Sequence, residues 1–253
     1  MELVIILAEA TSRRMLDLWE CCYQGEKIVV LGGKAPGEYL LLKEPFCLKC
    51  AFPGVSKDEY NWHWKSYGFE RIYAMGAYYP SRGSKNSVGW NDCLSKHIRG
   101  LKMYPNYAVP LGLGLALCIK KRYTELSEMD LIVPVPKFRT KLKKARDQSA
   151  MIYNQSSELS KVISDKVNIP YVEALRKTRE QRMKELSWEE KWEVVNGLYS
   201  ILDAETVKNK RVILVDDVST SGATVSECAK VLREAGAVVV NVLIAGRDVT
   251  EGA

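Results

Sequence analysis

No apolar run in this chain is long enough to cross a bilayer. The longest weakly polar stretch, "AVPLGLGLALCI" at 108–119, is well short of the roughly 20 residues a spanning helix needs. The N-terminal "MELVIILAEATSRR" lacks the basic lead and cleavage site of a secretory signal and reads as a first strand. A strong excess of one charge is also missing. The net charge of +6 permits a phosphate-rich ligand without demanding nucleic acid. The cysteines do not come as an even set: seven in a chain without a signal argue against a disulfide framework and leave metal binding or plain burial. No repeat or low-complexity segment is present. These absences lead us to expect a cytoplasmic protein with no membrane partner.

The rest is ordinary globular composition, 47% apolar and 27% charged. Residues 1–70 are expected to form a small β-rich module, with strands at "KIVVLGG" and "EYLLLK" and an aromatic patch, "EYNWHWKSYGFERIY". Residues 71–253 are expected to form a second domain. There the pattern alternates between buried strands ("IYAMGAYY", "DLIVPVP", "PYVEAL", "RVILVD", "AVVVNVLIAGRDV") and helices ("WNDCLSKHIRGLK", "VPLGLGLALCIKKRY", "NQSSELSKVISDKV", "SGATVSECAKVLREAG"). Asn154 or Ser156 is the expected cap of the third helix, and Gly236 closes the fourth. Such alternation predicts an α/β fold, a parallel sheet with helices on both faces. The charged segment 176–199 reads as an excursion from the sheet, either a lid or a salt-bridged surface helix.

The most informative stretch is "RVILVDDVSTSGATVSECAKVLREAGA" at 211–237. Four apolar residues run into two aspartates, then small hydroxyl residues and one glycine open a helix. Backbone N–H groups and hydroxyls at a helix N-terminus favour a phosphate. The loop has neither the lysine of a P-loop nor the glycine spacing of a dinucleotide fingerprint. The two carboxylates would repel a bare polyphosphate. They make sense as acceptors for sugar hydroxyls on a ligand that also carries a phosphate, which is a ribose 5-phosphate site.

"VILVDDVSTSGAT" (212–224) resembles the thirteen-residue phosphoribosyl pyrophosphate (PRPP) motif of the type I phosphoribosyltransferases. The resemblance implies that Asp216 and Asp217 hold the ribose 2′- and 3′-hydroxyls. It also implies that the loop Val218, Ser219, Thr220, Ser221, Gly222, Ala223 and Thr224 holds the 5′-phosphate. Further stretches are similar to the competence protein F (ComF-like) branch: "DLIVPVP" followed by a basic stretch, "YNQSSEL" from Tyr153, "IRGLKMY" at 98–104, "LSWEEK" at 186–191 and "GLYSI" at 197–201. The chain departs from the branch at Met151-Ile152, where Arg-Gly is usual, at Val194, where Asn is usual, and in a longer connection from Pro136 to Asn154. The departures concern the acceptor side.

The family fold implies that a loop after the first core strand, here Val135, Pro136, Lys137 and Phe138 with Arg139 beyond it, receives the pyrophosphate. The reaction would be displacement of pyrophosphate at C1 of the ribose by a nitrogen acceptor, a nucleobase or an amine. Mg²⁺ would ride mainly on the ligand oxygens, and Arg176 and Arg179 of the charged excursion would close over the site. The stretch "KFRTKLKKAR" (137–146) holds six cations and no acid, either a solvated face or a weak nucleic-acid contact.

The branch also carries an N-terminal zinc module. Cys47 and Cys50 form a C-x₂-C pair and Cys21 and Cys22 lie upstream, with His63 a substitute ligand; the alternative is ordinary buried or free cysteines. Cys93, Cys118 and Cys228 are expected in the core, and His97 on a helix surface. Trp62, Trp64 and Tyr67 fit either the core of the small module or stacking on a base. The competing reading is a PRPP or nucleotide sensor, or a nucleic-acid-handling protein, on the same fold. Glutamine-dependent amine transfer would need a glutaminase nucleophile, which does not follow Met1. The acceptor is not set by the sequence, and an oligomer is compatible with it.

Overall fold

The computed structural model describes residues 18–20, 27–29, 68–80, 92–138, 153–181 and 186–248. Outside them lie the expected strands at "MELVIIL" and "EYLLLK", the four candidate zinc ligands, His63, Trp62, Trp64 and Tyr67 of the aromatic patch, and Arg139 with the distal half of the basic stretch.

β1 (Leu18–Glu20) and β2 (Lys27–Val29) pair antiparallel, with Trp19 opposite Ile28. The central sheet is built from β3 (Arg71–Tyr78), β4 (Leu131–Pro134), β7 (Arg211–Ser219) and β8 (Val239–Asp248). Its order is β3-β8-β7-β4, and each neighbouring pair is parallel. Val212 to Val215 are fully buried, and such a run can exist only in a strand covered on both faces.

The covers are helices. One face packs α1 (Cys93–Leu101), α2 (Ala108–Lys121) and α3 (Gln155–Val167) through Ile98, Leu115, Leu159 and Ile163. The other packs α5 (Ala223–Glu234) through Val225, Cys228 and Leu232. It also holds a small antiparallel pair, β5 (Leu175–Lys177) with β6 (Tyr199–Ile201), and α4 (Trp188–Val195) between them.

Local signals set the helix ends. Asp92 accepts from the Ser95 N–H at 2.7 Å to start α1. Asn154 caps α3, accepting from the Ser156 N–H at 3.2 Å. Ser187 and Glu190 form a reciprocal capping box on α4.

Two expectations are corrected. His97 is only 2% exposed and meets the Tyr107 ring edge-on, with centroids 5.5 Å apart. It lies on the same helical stripe as Leu94, Ile98 and Leu101, which face the core. The expected strand "PYVEAL" splits: Pro170 and Val172 bond Ile132 in a single bridge. The chain then turns away, and Leu175–Lys177 pairs with β6 instead.

Gly112 marks where α2 meets α3. A Cβ there would sit 2.6 Å from Val162 Cβ. Gly112→Ala should therefore lower stability by about 1–2 kcal/mol through overpacking, despite its better helix propensity. Urea denaturation will show the loss, and adding Val162→Ala should recover most of it.

Candidate active site

In an open parallel sheet, ligands bind beyond the carboxyl ends of the strands, where adjacent connections leave in opposite directions. Here that point lies between β4 and β7. The connection after β4 leads into α3 on one face, and the loop after β7 leads into α5 on the other. The fold thus brings together the two loops expected to bind the ligand, Val135–Phe138 and Asp216–Thr224.

The acids sit at the end of β7, half-buried. Asp216 Oδ1 accepts from Ser156 Oγ at 2.9 Å and from the Asp217 N–H at 2.9 Å. Asp217 Oδ1 accepts from the Val218 N–H at 2.8 Å. Asp217 Oδ2 lies 3.7 Å from the Lys102 ammonium. Burial, and then the neighbouring Asp217 charge, push the Asp216 carboxyl well above the ordinary carboxylate range; the Ser156 hydrogen bond opposes this.

The loop that follows is a set of open donors. Gly222, in the left-handed region at φ 79°, occupies the N-cap of α5 and has no side chain to cap the helix. The first-turn N–H groups are left for a ligand, with only a 3.4 Å contact from the Ala223 N–H to Ser221 Oγ. Ser219 Oγ is buried with no hydrogen-bond partner among the described residues. Thr224 meets the Tyr199 hydroxyl from β6, and burial raises that phenol far above its ordinary value.

On the β4 side, the Val135 N–H donates to Val215 O at 2.9 Å. Asn154 Nδ2 donates to Val135 O at 3.0 Å, so the residue that caps α3 also holds this loop. Asn154→Ala removes both contacts. It should cost about 1–2 kcal/mol of stability in a chemical denaturation, as cap losses do, while leaving the acids in place. Lys137 is exposed, its ammonium 3.5 Å from Gln155 Oε1.

Arg176 and Arg179 are exposed, Arg176 Nε donating to Ser200 Oγ at 2.9 Å and Arg179 to Val194 O at 3.3 Å. Strand alternation puts Lys177, not Arg176, on the inner face of β5. Its ammonium donates to Gln181 O at 3.1 Å and lies 5.9 Å from the Tyr199 ring centroid. Burial holds it below its usual value, with Cys228, Glu180 and Asp216 opposing.

Sequence reasoning did not single out Ser156, Lys102 or Arg247 for the site. Arg247, buried, stands opposite Ser219 in the β7–β8 ladder, a cation beside the start of the phosphate loop. Ser156 and Lys102 fall within stretches already quoted, "YNQSSEL" and "IRGLKMY". Nothing local marks Arg247.

Among the described residues no group of three or more His, Cys, Asp or Glu is placed to hold a metal, and no helix is long and apolar enough to cross a membrane.

Residues 152–250 match the phosphoribosyl transferase domain family. Competence protein F of Haemophilus influenzae is 32% identical over 129 residues, which cover 49% of this chain and 53% of that protein. The chain thus spans about half the length of this curated relative. Among solved structures, the allosteric regulatory enzyme of purine biosynthesis is similar at 23% identity and a TM-score of 0.40, covering 58% of this chain and 30% of that one. Orotate phosphoribosyltransferase from Aeropyrum pernix is similar at 19% identity and a TM-score of 0.33, covering 56% and 60%.

Proposed function

We propose, from the match of residues 152–250 to the phosphoribosyl transferase domain family and the likeness to competence protein F, that this chain is a type I phosphoribosyltransferase of the competence protein F-like kind, which binds PRPP and transfers the 5-phosphoribosyl group to a nitrogen acceptor, a nucleobase or an amine, releasing pyrophosphate. One observation carries the reading: two adjacent carboxylates, Asp216 and Asp217, lie on the strand whose loop leads into a helix N-terminus left uncapped by Gly222. Acceptors for two ribose hydroxyls and donors for one phosphate are then carried on one segment, the set of groups a ribose 5-phosphate calls for.

The chemistry follows from this layout. The nitrogen attacks C1 as the C1–O bond to pyrophosphate breaks, and the sugar passes through a cationic, oxocarbenium-like state. Carboxylates beside the ring favour that charge. Val135–Phe138, with Arg139, would receive the pyrophosphate. Arg176 and Arg179, on the excursion from β5 to β6, would close over it and exclude water.

Mg²⁺ suits this donor set as a ligand-borne ion. With both carboxylates assigned to hydroxyls, it would keep pyrophosphate oxygens and water, and it would supply charge neutralisation on the leaving group. The N-terminal module of residues 1–70, with zinc on Cys21, Cys22, Cys47 and Cys50, would shape the acceptor side.

Calorimetric titration of PRPP with Mg²⁺ into the full chain is the test, followed by assay of pyrophosphate release with panels of bases and amines. Micromolar binding and acceptor-dependent release are expected. Binding without release for any acceptor would leave a PRPP sensor. No binding would sink the proposal.

A further inference from the structure

The Lys102 ammonium reaches the acid pair from α1, an element that precedes the matched domain. The end of α1 is well fixed. Leu101 is fully buried, and the Lys102 N–H bonds Arg99 O at 3.1 Å. The Tyr107 ring covers Gly100 so closely that a Cβ there would come within 2.5 Å of it. From this anchor Lys102 Nζ lies 3.7 Å from Asp217 Oδ2 and 5.7 Å from the centroid of the Tyr78 ring.

We infer that Lys102 is a positioning residue of the ribose site, holding the Asp217 carboxylate in place so that it can accept a hydrogen bond from a sugar hydroxyl. The inference rests on the ribose-site reading above.

Two adjacent carboxylates in a half-buried site tend to share a proton, and a protonated acid becomes a donor towards a hydroxyl it should accept from. Among the described residues, few of the groups around the pair supply positive charge. Tyr78 of β3 lies beside Lys102, and Tyr153, just before α3, lies near Asp217; Glu158 adds negative charge beside Tyr153. Around Asp216 stand Lys177 of β5, Tyr199 of β6, and Cys228 and Glu227 of α5. Lys102 is the cation placed on Asp217 itself. Burial opposes its charge, but Asp217, Tyr78 and Asp216 outweigh burial and hold the ammonium above its usual value.

The Tyr153 hydroxyl is buried without a partner among the described residues, and burial and Asp217 push it up to about 12. It stays neutral and cannot replace the lysine. The Lys102 side chain is 47% exposed, and ion pairs of that kind add little to folding. Its value therefore lies in setting the acid rather than in holding the fold.

The test compares wild type, Lys102→Met and Lys102→Arg by Mg²⁺–PRPP titration at several pH values, and by ¹³C NMR of the aspartate carboxyls in the ligand-free chain. In Lys102→Met, affinity at neutral pH should fall about tenfold, with the acid limb of the binding profile moved to higher pH because the Lys102 charge also holds the Asp216 carboxyl down. Thermal stability should hardly change, and Lys102→Arg should restore both affinity and profile. Lys102→Gln takes the place of Met if that variant fails to fold. An unchanged affinity and an unchanged profile in Lys102→Met would overturn the inference. A wild-type chain that does not bind PRPP would instead overturn the proposed function. The carboxyl resonances would then still decide whether Lys102 holds Asp217 in place.

Discussion

Replacing both acids, Asp216→Asn and Asp217→Asn, will abolish PRPP binding while leaving the protein folded. Each carboxylate offers a charge-assisted acceptor to one ribose hydroxyl, and such hydrogen bonds are worth about 1.5–3 kcal/mol each. Losing both should cost well over a hundredfold in affinity, beyond the range of a calorimetric titration with wild-type-like heats. Folding should not suffer, because Asp216 is a half-buried carboxyl next to a like charge. Removing that charge relieves repulsion at neutral pH. A double variant that binds PRPP as wild type does would show that the ligand sits elsewhere.

The same carboxyl sets two opposing pH trends. Its value is raised in the folded protein, so the native state holds this proton more tightly than the unfolded chain does. The stability contributed by Asp216 is present at and below the ordinary aspartate value of about 4. It is lost as pH rises from there through the raised folded value. Hydroxyl binding needs the charged form and strengthens over the same interval. Melting temperature should therefore fall in the window where PRPP affinity climbs, and both slopes should flatten in Asp216→Asn. Parallel calorimetric titrations and thermal melts across pH 4–8 will check this, and a flat affinity profile would refute it.

The second large effect falls on the phosphate half of the site. Gly222→Val should abolish tight binding of ribose 5-phosphate and lower stability by about 1–3 kcal/mol. At φ 79° and ψ −8° the backbone is in the left-handed region, where a β-branched side chain is strained. The loop must rearrange to relieve it, and the N–H groups of the first turn of α5 move with it. Gly222→Asn is the control, since Asn tolerates this conformation. It should keep most of the stability and much of the affinity. Equal phosphate affinity in Gly222→Val would mean that the loop from Ser219 to Thr224 does not cradle the anion. Fluorescence or calorimetric titration with ribose 5-phosphate separates these outcomes from effects on the pyrophosphate loop.

The local devices of the site were legible in the sequence. The buried run Val212–Val215, the acids at its end and the glycine opening α5 lie on one continuous segment. Their chemistry depends on near neighbours in the chain. The Asn154 cap was legible for the same reason, since it is a two-residue interaction with Ser156. The alternation of strands and helices gave the parallel sheet, because burial on both faces imposes a composition that a reader can see.

Other features came only from the tertiary structure. Ser156 meets Asp216 across sixty residues, and that pairing depends on α3 packing behind β7. Whether Arg176 or Lys177 faces inward depends on the register of β5 against β6, and a one-residue slip would exchange them. His97 looked like a surface residue until the packing of α1 placed its stripe against the core. Lys102 is a plain lysine at the end of a helix until the fold sets it beside Asp217. Sequence patterns report what a residue can do with its near neighbours, whereas which distant group it meets is set by strand order, register and helix packing.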